Sequence, residues 1–229
     1  MQNSNISIEW RDAPHYASTE SNQEVNIIGN QEIGGEIAVA GDENTITARV
    51  KSARTAITGS DTAATIVGDD TKTAVSGSLI NVRLIGDDAL LASCGIEADI
   101  KVNGDGTELA AARMNGNITI EGDYSTVASC GDGASIAVTG SCARIAVLGD
   151  DNDIIQTGEN GLLLLDGRDA KFRAEKGTLV IAVVYDANDN NRAIGGLIGR
   201  IGENGLRENT NYTVKNGQFI EMPTMDDNA

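Results

Sequence analysis

Glycine recurs on a nine-residue grid through most of this chain. Between residues 41 and 167, only Val50 and Arg113 interrupt a grid of glycines at positions 41, 59, 68, 77, 86, 95, 104, 122, 131, 140, 149, 158 and 167. A fixed short period is typical of repeat proteins, in which one unit cannot bury its apolar face alone and stacked units can. The sequence therefore predicts an elongated stack of nine-residue units.

Each unit reads as one short β-strand and one tight corner. The consensus is Gly-Asp-x-small-x-apolar-x-apolar-x, as in GDYSTVASC at 122–130. Apolar residues at the sixth and eighth positions, with a small one at the fourth, alternate with period two, which indicates a strand with one buried face. The sixth position carries the strongest apolar signal, at Ile28, Ile37, Ile46, Val82, Leu91, Ile100, Leu109, Ile118, Val127, Ile136, Ile145, Ile154, Leu163 and Phe172.

Alternate units differ at the seventh position, and this difference sets the size of one coil. Every second unit places Ala there, at Ala38, Ala56, Ala74, Ala92, Ala110, Ala128 and Ala146. The intervening units carry Thr47, Thr65, Arg83, Lys101, Thr119, Ala137 and Ile155. A triangular coil of three units would mix the two classes. We therefore predict an all-β fold, a two-faced parallel β-solenoid with 18-residue coils of two units each.

The pattern divides the chain into four predicted parts. Residues 1–22, with Ile6, Ile8, Trp10 and Tyr16, are predicted to be an N-terminal cap, and residues 23–176 form the solenoid. Residues 177–222 are predicted to be a small C-terminal β domain, because GTLVIAVVYD and RAIGGLIGRIG read as strands and TNYTVKNGQFIEM as a hairpin around Asn216-Gly217,. Residues 223–229 are expected to be a flexible tail.

Two segments carry a family resemblance. GDYSTVASC and the hairpin NYTVKNGQFIE at 211–221 resemble the nonapeptide repeats and the closing hairpin of β-helical proteins from bacteriophages and prophages. The resemblance covers most of the chain. It implies a phage or prophage origin and a small C-terminal β domain, and it implies no particular activity.

The chain is strongly acidic. It has 34 acidic and 17 basic residues, for a net charge of −17. Such a surface repels nucleic acids and anionic membranes and favours basic partners. We therefore expect a basic protein partner, no direct nucleic-acid binding and no membrane binding.

Four aspartates at the second position recur in every second unit, at Asp69, Asp87, Asp105 and Asp123. A spacing of one coil should stack them at one corner. They could cap the turns, or they could form an acidic ridge that enters a basic groove. Calcium binding is less favoured, because the G-G-x-G-x-D pattern of calcium-binding nonapeptides does not occur,.

The alanines form the second candidate surface. Ala56, Ala74, Ala92, Ala110, Ala128 and Ala146 should lie in line on one outer face. Alanine could simply be tolerated on a solvated face. The flat strip would also suit packing against a second copy, in a homodimer, or against the C-terminal β domain.

Catalytic and cofactor chemistry find little support in the sequence. His15 is the one histidine and lies outside the repeats, and no catalytic residues, metal ligands or cofactor motifs are predicted,. Cys94, Cys130 and Cys142 are an odd number without framework spacing, which indicates free thiols in a reducing compartment,. The first residues lack a signal-peptide pattern and no stretch is apolar enough to span a membrane,. We expect a location in the host cytoplasm.

Three classes of function follow, in order of preference. The first is a non-enzymatic acidic protein, encoded by a phage, that binds and inhibits a host nucleic-acid-binding or defence protein as a DNA mimic. The second is a structural or adhesive component of a virion. The third is a β-helical enzyme acting on carbohydrate, which the 3% aromatic content disfavours.

Overall fold

The computed structural model describes residues 4–9, 15–29, 34–112, 115–186 and 192–223. Within these ranges all regular structure is β-strand, and the strands form two sheets. The first sheet contains, in spatial order, β1 (Ser4–Glu9), β3 (Gln23–Ile28), β5 (Thr45–Arg49), β7 (Ala63–Val67), β9 (Asn81–Ile85), β11 (Asp99–Asn103), β13 (Asn117–Glu121), β15 (Ser135–Val138), β17 (Asp153–Gln156), β19 (Lys171–Ala174), β22 (Tyr212–Lys215) and β23 (Gln218–Glu221).

The second sheet contains the intervening strands. They are β2 (His15–Ser18), β4 (Glu36–Ala40), β6 (Arg54–Thr58), β8 (Lys72–Ser78), β10 (Leu90–Ile96), β12 (Glu108–Ala112), β14 (Thr126–Cys130), β16 (Arg144–Leu148), β18 (Leu162–Asp166), β20 (Leu179–Tyr185) and β21 (Ala193–Arg200). From β1 to β20 the chain alternates between the two sheets, so two strands make one coil. The predicted two-faced parallel β-solenoid is confirmed.

The register follows the repeat. Over most of the chain each strand pairs in parallel with the strand two units further on, so that Ala92 lies between Ala74 and Ala110. Inward side chains of both sheets interleave into one narrow core of Val, Ile, Leu and Ala. Ile118 lies between Ile100 and Ile136 in this core, and each of the three is at most 3% exposed. Burial of these aliphatic side chains is the main favourable term that stacking provides.

The first coils depart from the predicted register. Val25 pairs with Ile46 and Tyr16 with Ile37, so these coils are longer than the two units found elsewhere. The corner between β3 and β4 contains the extra residues, and it shifts the grid by three positions. Ile28, which the grid placed in the core, therefore points outward and is 46% exposed. The prediction for Ile28 was wrong, because an insertion reverses the face of every preceding residue when its length is odd.

The N-terminal residues contribute end strands to both sheets. β1 pairs in parallel with β3 and β2 with β4, so the stacked strands begin before residue 23. Ile8 and Tyr16 pack against the core. Trp10, also expected in the cap, lies outside the described residues.

The C-terminal strands reverse direction and extend both sheets. β21 pairs antiparallel with β20 in the second sheet, while β22 and β23 form an antiparallel hairpin beside β19 in the first. The hairpin turns at Asn216 and Gly217, with φ of 49° and 71°. Phe172 stacks on Tyr212 and meets Phe219 edge to face, with ring centroids 5.6 and 5.7 Å apart. An aromatic cluster thus closes this end of the core. Residues 187–191 and 224–229, which include most of the expected tail, lie outside the described ranges.

Close approach of successive coils explains the glycine grid. A Cβ added to Gly140 would lie 1.7 Å from the carbonyl oxygen of Gly122 on the preceding coil. Positive φ occurs at the third position of the unit, as at Asp88 with 54°, and also at several first-position glycines, as at Gly86 with 149°. The glycines are therefore required because the backbones of stacked corners nearly touch and, at several of these positions, because φ is positive.

We expect Gly140→Ala to destabilise the protein by at least about 2 kcal/mol, because the backbone must move to admit the methyl group. For a chain of this size that lowers the Tm by about 4–8 °C. Gly195→Ala is the matched control, since no atom lies within 4 Å of the added methyl group. Thermal unfolding followed by circular dichroism compares the two. Equal Tm values for both variants would show that coil-to-coil contact does not explain the glycine grid.

Candidate binding surfaces

The four predicted aspartates form one continuous column. Each lies in a corner that joins a first-sheet strand to the next second-sheet strand. The backbone N–H of Asp87 donates to Asp69 Oδ1 at 3.1 Å, that of Asp105 to Asp87 Oδ1 at 2.9 Å, and that of Asp123 to Asp105 Oδ1 at 2.8 Å. The N–H of Ser141 donates to Asp123 Oδ1 at 2.8 Å and extends the column. We call Asp69, Asp87, Asp105 and Asp123 the Asp ladder.

The ladder combines turn capping with an exposed negative charge. One carboxylate oxygen of each aspartate accepts a hydrogen bond from the coil above, and charge-assisted bonds of this kind are among the stronger ones. The side chains of Asp87, Asp105 and Asp123 remain exposed. Among the described residues, one ion pair involves a ladder residue: Lys51 Nζ lies 3.8 Å from Asp69 Oδ2. Successive carboxylates are therefore held about 4.8 Å apart, the spacing of paired strands.

Two further carboxylates widen the ladder, and the sequence analysis missed them. Asp70 and Asp88 occupy the third position, directly after ladder residues, and both are exposed. Their φ values of 55° and 54° lie in the left-handed region, where Asp and Asn are enriched among non-glycine residues,. Attention to the third position, where Asp, Asn and Gly recur, would have found them.

The opposite corner carries a shorter version of the ladder that is partly neutralised. The N–H of Asp150 donates to Asp132 Oδ1 at 2.8 Å, and the N–H of Arg168 donates to Asp150 Oδ1 at 2.8 Å. The Arg168 guanidinium also forms an ion pair with Asp150, and these hydrogen bonds lower the pKa of the Asp150 carboxyl. That corner also carries Asp42, Asp61, Asp151 and Asp169 and is no less acidic; the Asp ladder differs in being an unbroken stack of four aspartates on successive coils.

The outer face of the second sheet is mostly apolar. The predicted alanines lie in register along it, and the same line starts at Ala17 and continues after Ala146 through Leu164, Ile181 and Ile198. We call this line the Ala column and the surface around it the apolar face. Leu90 and Ile198 on this face are 41% and 73% exposed. The outer face of the first sheet is polar instead, with Asn81, Asp99, Asn117, Arg83, Lys101 and Thr119 on neighbouring strands.

The C-terminal strands leave the apolar face open. β21 continues the second sheet at its edge, and β22 and β23 continue the first sheet. One alternative from the sequence, in which the C-terminal β domain covers the alanines, was therefore wrong. A sheet that ends in antiparallel strands extends in its own plane and does not fold back over its face.

A shallow groove of about 360 Å³ runs along the N-terminal half of the apolar face. Its floor includes Ala38, Ala56, Ala74 and Ala92. Its polar and bulky lining residues include Glu36, Arg54, Lys72 and Leu90, the fifth residues of their units. The flat floor therefore has a charged rim along one side.

A polar cleft of about 450 Å³ lies at the C-terminal end of the solenoid, between a corner and the closing hairpin. Arg168, Tyr185 and Lys215 line it. The Tyr185 hydroxyl donates to Asp166 Oδ1, and this bond raises the pKa of Tyr185. The lining holds hydrogen-bonding groups and a charged pair, with no histidine or cysteine among the described residues that line it.

The remaining chemically distinctive residues are scattered. His15 lies near the N-terminal end and pairs with Glu36 at 3.0 Å. Cys94 and Cys130 are exposed on the second sheet, Cys142 is half-buried in a corner, and all three are free thiols.

The described residues contain no group of three or more His, Cys, Asp or Glu placed to hold a metal ion. Nor do they include a helix with the length and apolarity needed to cross a bilayer.

Comparison of the chain with protein-family models, with curated proteins and with solved structures finds no match.

We expect Asp105→Ala to destabilise the protein by about 0.5–1.5 kcal/mol, because the N–H of Asp123 loses its acceptor. Asp105→Asn should stay close to the parent protein, since its amide oxygen still accepts that bond. Denaturant unfolding measures both. If Asp105→Ala is as stable as the parent protein, Asp105 does not cap the turn. If Asp105→Asn is destabilised as much as Asp105→Ala, the charge itself is needed.

Proposed function

We propose that the protein is a non-enzymatic acidic binding protein whose Asp ladder occupies a basic groove on a nucleic-acid-binding partner. The observation that supports this most is the rigid column of carboxylates. Each is anchored by one oxygen to the backbone of the next coil, and the column faces solvent. Asp70 and Asp88 add charge beside it.

The spacing of the ladder favours a surface that normally binds phosphates. Carboxylates about 4.8 Å apart along a straight edge are of the same order as the charge spacing along one nucleic acid strand, about 3.4 Å. Because the carboxylates are held by backbone hydrogen bonds, little side-chain entropy is lost when a partner binds. An acidic ridge can occupy a phosphate-binding groove without being a substrate for the partner.

The resemblance to phage and prophage repeat proteins supports the biological setting of the proposal. A phage-encoded acidic protein in the host cytoplasm would meet nucleic-acid-binding and defence proteins of the host. Binding of the ladder would inhibit such a protein by competing with its nucleic acid.

A structural role in a virion is the second candidate. It is favoured by the strands from β3 to β20, each of which pairs with a neighbour on both sides, and by the antiparallel strands that close the C-terminal end. Stacks of this kind limit exposed sheet edges. Recovery of the protein only in purified virions, and not in the soluble fraction of infected cells, would favour this candidate.

A four-fold Asp→Asn variant tests the binding role. Changing Asp69, Asp87, Asp105 and Asp123 to Asn removes four charges and keeps the acceptor oxygens. Four surface charges at about 0.2–1 kcal/mol each predict an affinity loss between about 4-fold and about 1,000-fold for a host partner captured from lysate and then purified. The loss should shrink at high salt, where screening is stronger.

The matched control removes four charges from the opposite corner, at Asp61, Asp132, Asp151 and Asp169, each of them exposed. This control should keep most of the affinity of the parent protein. Equal loss in both variants would show that net charge acts without a specific ridge. Full affinity in the ladder variant would exclude the ladder as the contact.

A further inference from the structure

We propose that two copies of this chain pair through the apolar face, with their solenoids antiparallel and β10 of one copy opposite β10 of the other. This pairing does not depend on the Asp ladder or on its partner. It follows from the area of the face and from the order of charges along its rim.

The apolar face is large enough for a stable pair. Nine strands of the second sheet, from β2 to β18, lie within an overlap centred on β10. At about 4.8 Å per strand the overlap is about 43 Å long, and three outward residues per strand make it about 15 Å wide at about 3.3 Å per residue. Each copy would bury about 650 Å², and the total of about 1,300 Å² lies within the range of specific interfaces.

The charges along the rim have a defined order. The fifth residues of the second-sheet units are neighbours in register, and from the N-terminal end they read His15, Glu36, Arg54, Lys72, Leu90, Glu108, Thr126, Arg144 and Leu162. Glu36 pairs with His15 at 3.0 Å and with Arg54 at 3.9 Å. Within the described ranges, Lys72, Glu108 and Arg144 form no ion pair.

This order is self-complementary about Leu90. Lys72 lies one strand before Leu90 and Glu108 one strand after it; Glu36 lies three strands before and Arg144 three strands after. A two-fold axis parallel to the strands and passing through Leu90 therefore sets Lys72 opposite the partner's Glu108. It also sets Glu36 opposite the partner's Arg144. Each pair occurs twice, and every rim charge without an ion pair in one copy faces an opposite charge in the other.

Neighbouring antiparallel registers are electrostatically less favourable. A shift of one strand in one direction sets Arg54 against the partner's Arg144. The opposite shift sets Arg54 against the partner's Glu108, but it leaves Lys72 against the partner's Leu90. Shifts of two strands bring together like charges, such as Lys72 with the partner's Lys72 or Glu108 with the partner's Glu108. Desolvated like charges repel strongly, so the charges favour the register centred on β10.

A parallel arrangement of the two solenoids is disfavoured as well. It would set the charged fifth residues against the ninth residues of the partner's units. Those are uncharged at Ala40, Thr58, Ser76, Cys94, Ala112 and Cys130. The charges on the rim would then be covered without partners, which costs free energy.

The Ala column fits the same register. Ala92 lies opposite the partner's Ala92, and the bulkier Leu164 lies opposite the partner's Ala17. Small side chains let two sheets approach closely, and a large residue opposite a small one fills the space between them. Packing and charge therefore indicate one arrangement.

The pairing would place both Asp ladders on the same side of the dimer. Each corner lies midway between the sheets of its own solenoid, and sheets pack about 10 Å apart, so the two ladders would run about 20 Å from each other. That distance exceeds the Debye length of about 10 Å at 0.1 M salt. Repulsion between the ladders therefore does not oppose pairing at ordinary ionic strength.

The native cysteines test the register. Cys94 is on β10, so the two-fold axis sets it against the partner's Cys94, whereas Cys130 is set against the partner's Thr58. A variant that keeps Cys94 alone, with Cys130→Ser and Cys142→Ser, should form dimers with a short bis-maleimide cross-linker. A variant that keeps Cys130 alone should not, and adding Thr58→Cys to it should restore cross-linking.

A charge exchange tests the rim in the variant that keeps Cys94 alone. Lys72→Glu should lower the cross-linked fraction several-fold, and Lys72→Glu with Glu108→Lys should restore it, because the pair is then reversed and not broken. Cross-linking of the Cys130 variant as efficient as that of the Cys94 variant, or absence of cross-linking at Cys94, would overturn the proposed pairing.

Discussion

Hydrogen bonding between one coil and the next is the constraint on which the rest of this structure depends. It runs through the strands, where Ala92 pairs with Ala74 and Ala110, and it continues through the corners. There the N–H of Asp88 donates to the carbonyl oxygen of Asp105 at 2.8 Å. Because the corners stack as closely as the strands, the first position of each unit favours glycine. For the same reason, a side chain at the second position can accept a hydrogen bond from the backbone of the next coil. Any residue type that recurs once per coil becomes a straight column on the surface.

The columns give each surface a separate character. One corner presents the exposed carboxylates of the Asp ladder, while the opposite corner is partly neutralised by Arg168. One outer face is polar, and the other is lined by alanine, leucine and isoleucine with charges along one rim. A rod with an acidic edge and a flat apolar face is the geometry on which the proposed binding role rests.

The sequence predicted what depends on a strict period and missed what depends on its interruption. The coil size, the inward face and the Ala column follow from the spacing of residues such as Ala74 and Ala92. The three-residue insertion before β4 is not periodic, so it reversed the expected face of Ile28. The segments after Gly177 do not follow the nine-residue repeat. Their apolar and turn residues predicted strands, but without a repeat nothing in the sequence predicted that these strands would extend the edges of the two sheets. The self-complementary order of charges about Leu90 is present in the sequence, but it has meaning only once the strand register is known.

Sedimentation equilibrium of the unmodified protein at micromolar concentration measures most directly whether the apolar face is a contact between two copies. Pairing across this face predicts a particle of twice the 23.8 kDa chain mass. Leu90→Arg, which places two like charges at the two-fold axis, should return the mass to that of one chain without loss of β-structure. A mass of 23.8 kDa for the unmodified protein across the micromolar range would contradict the pairing.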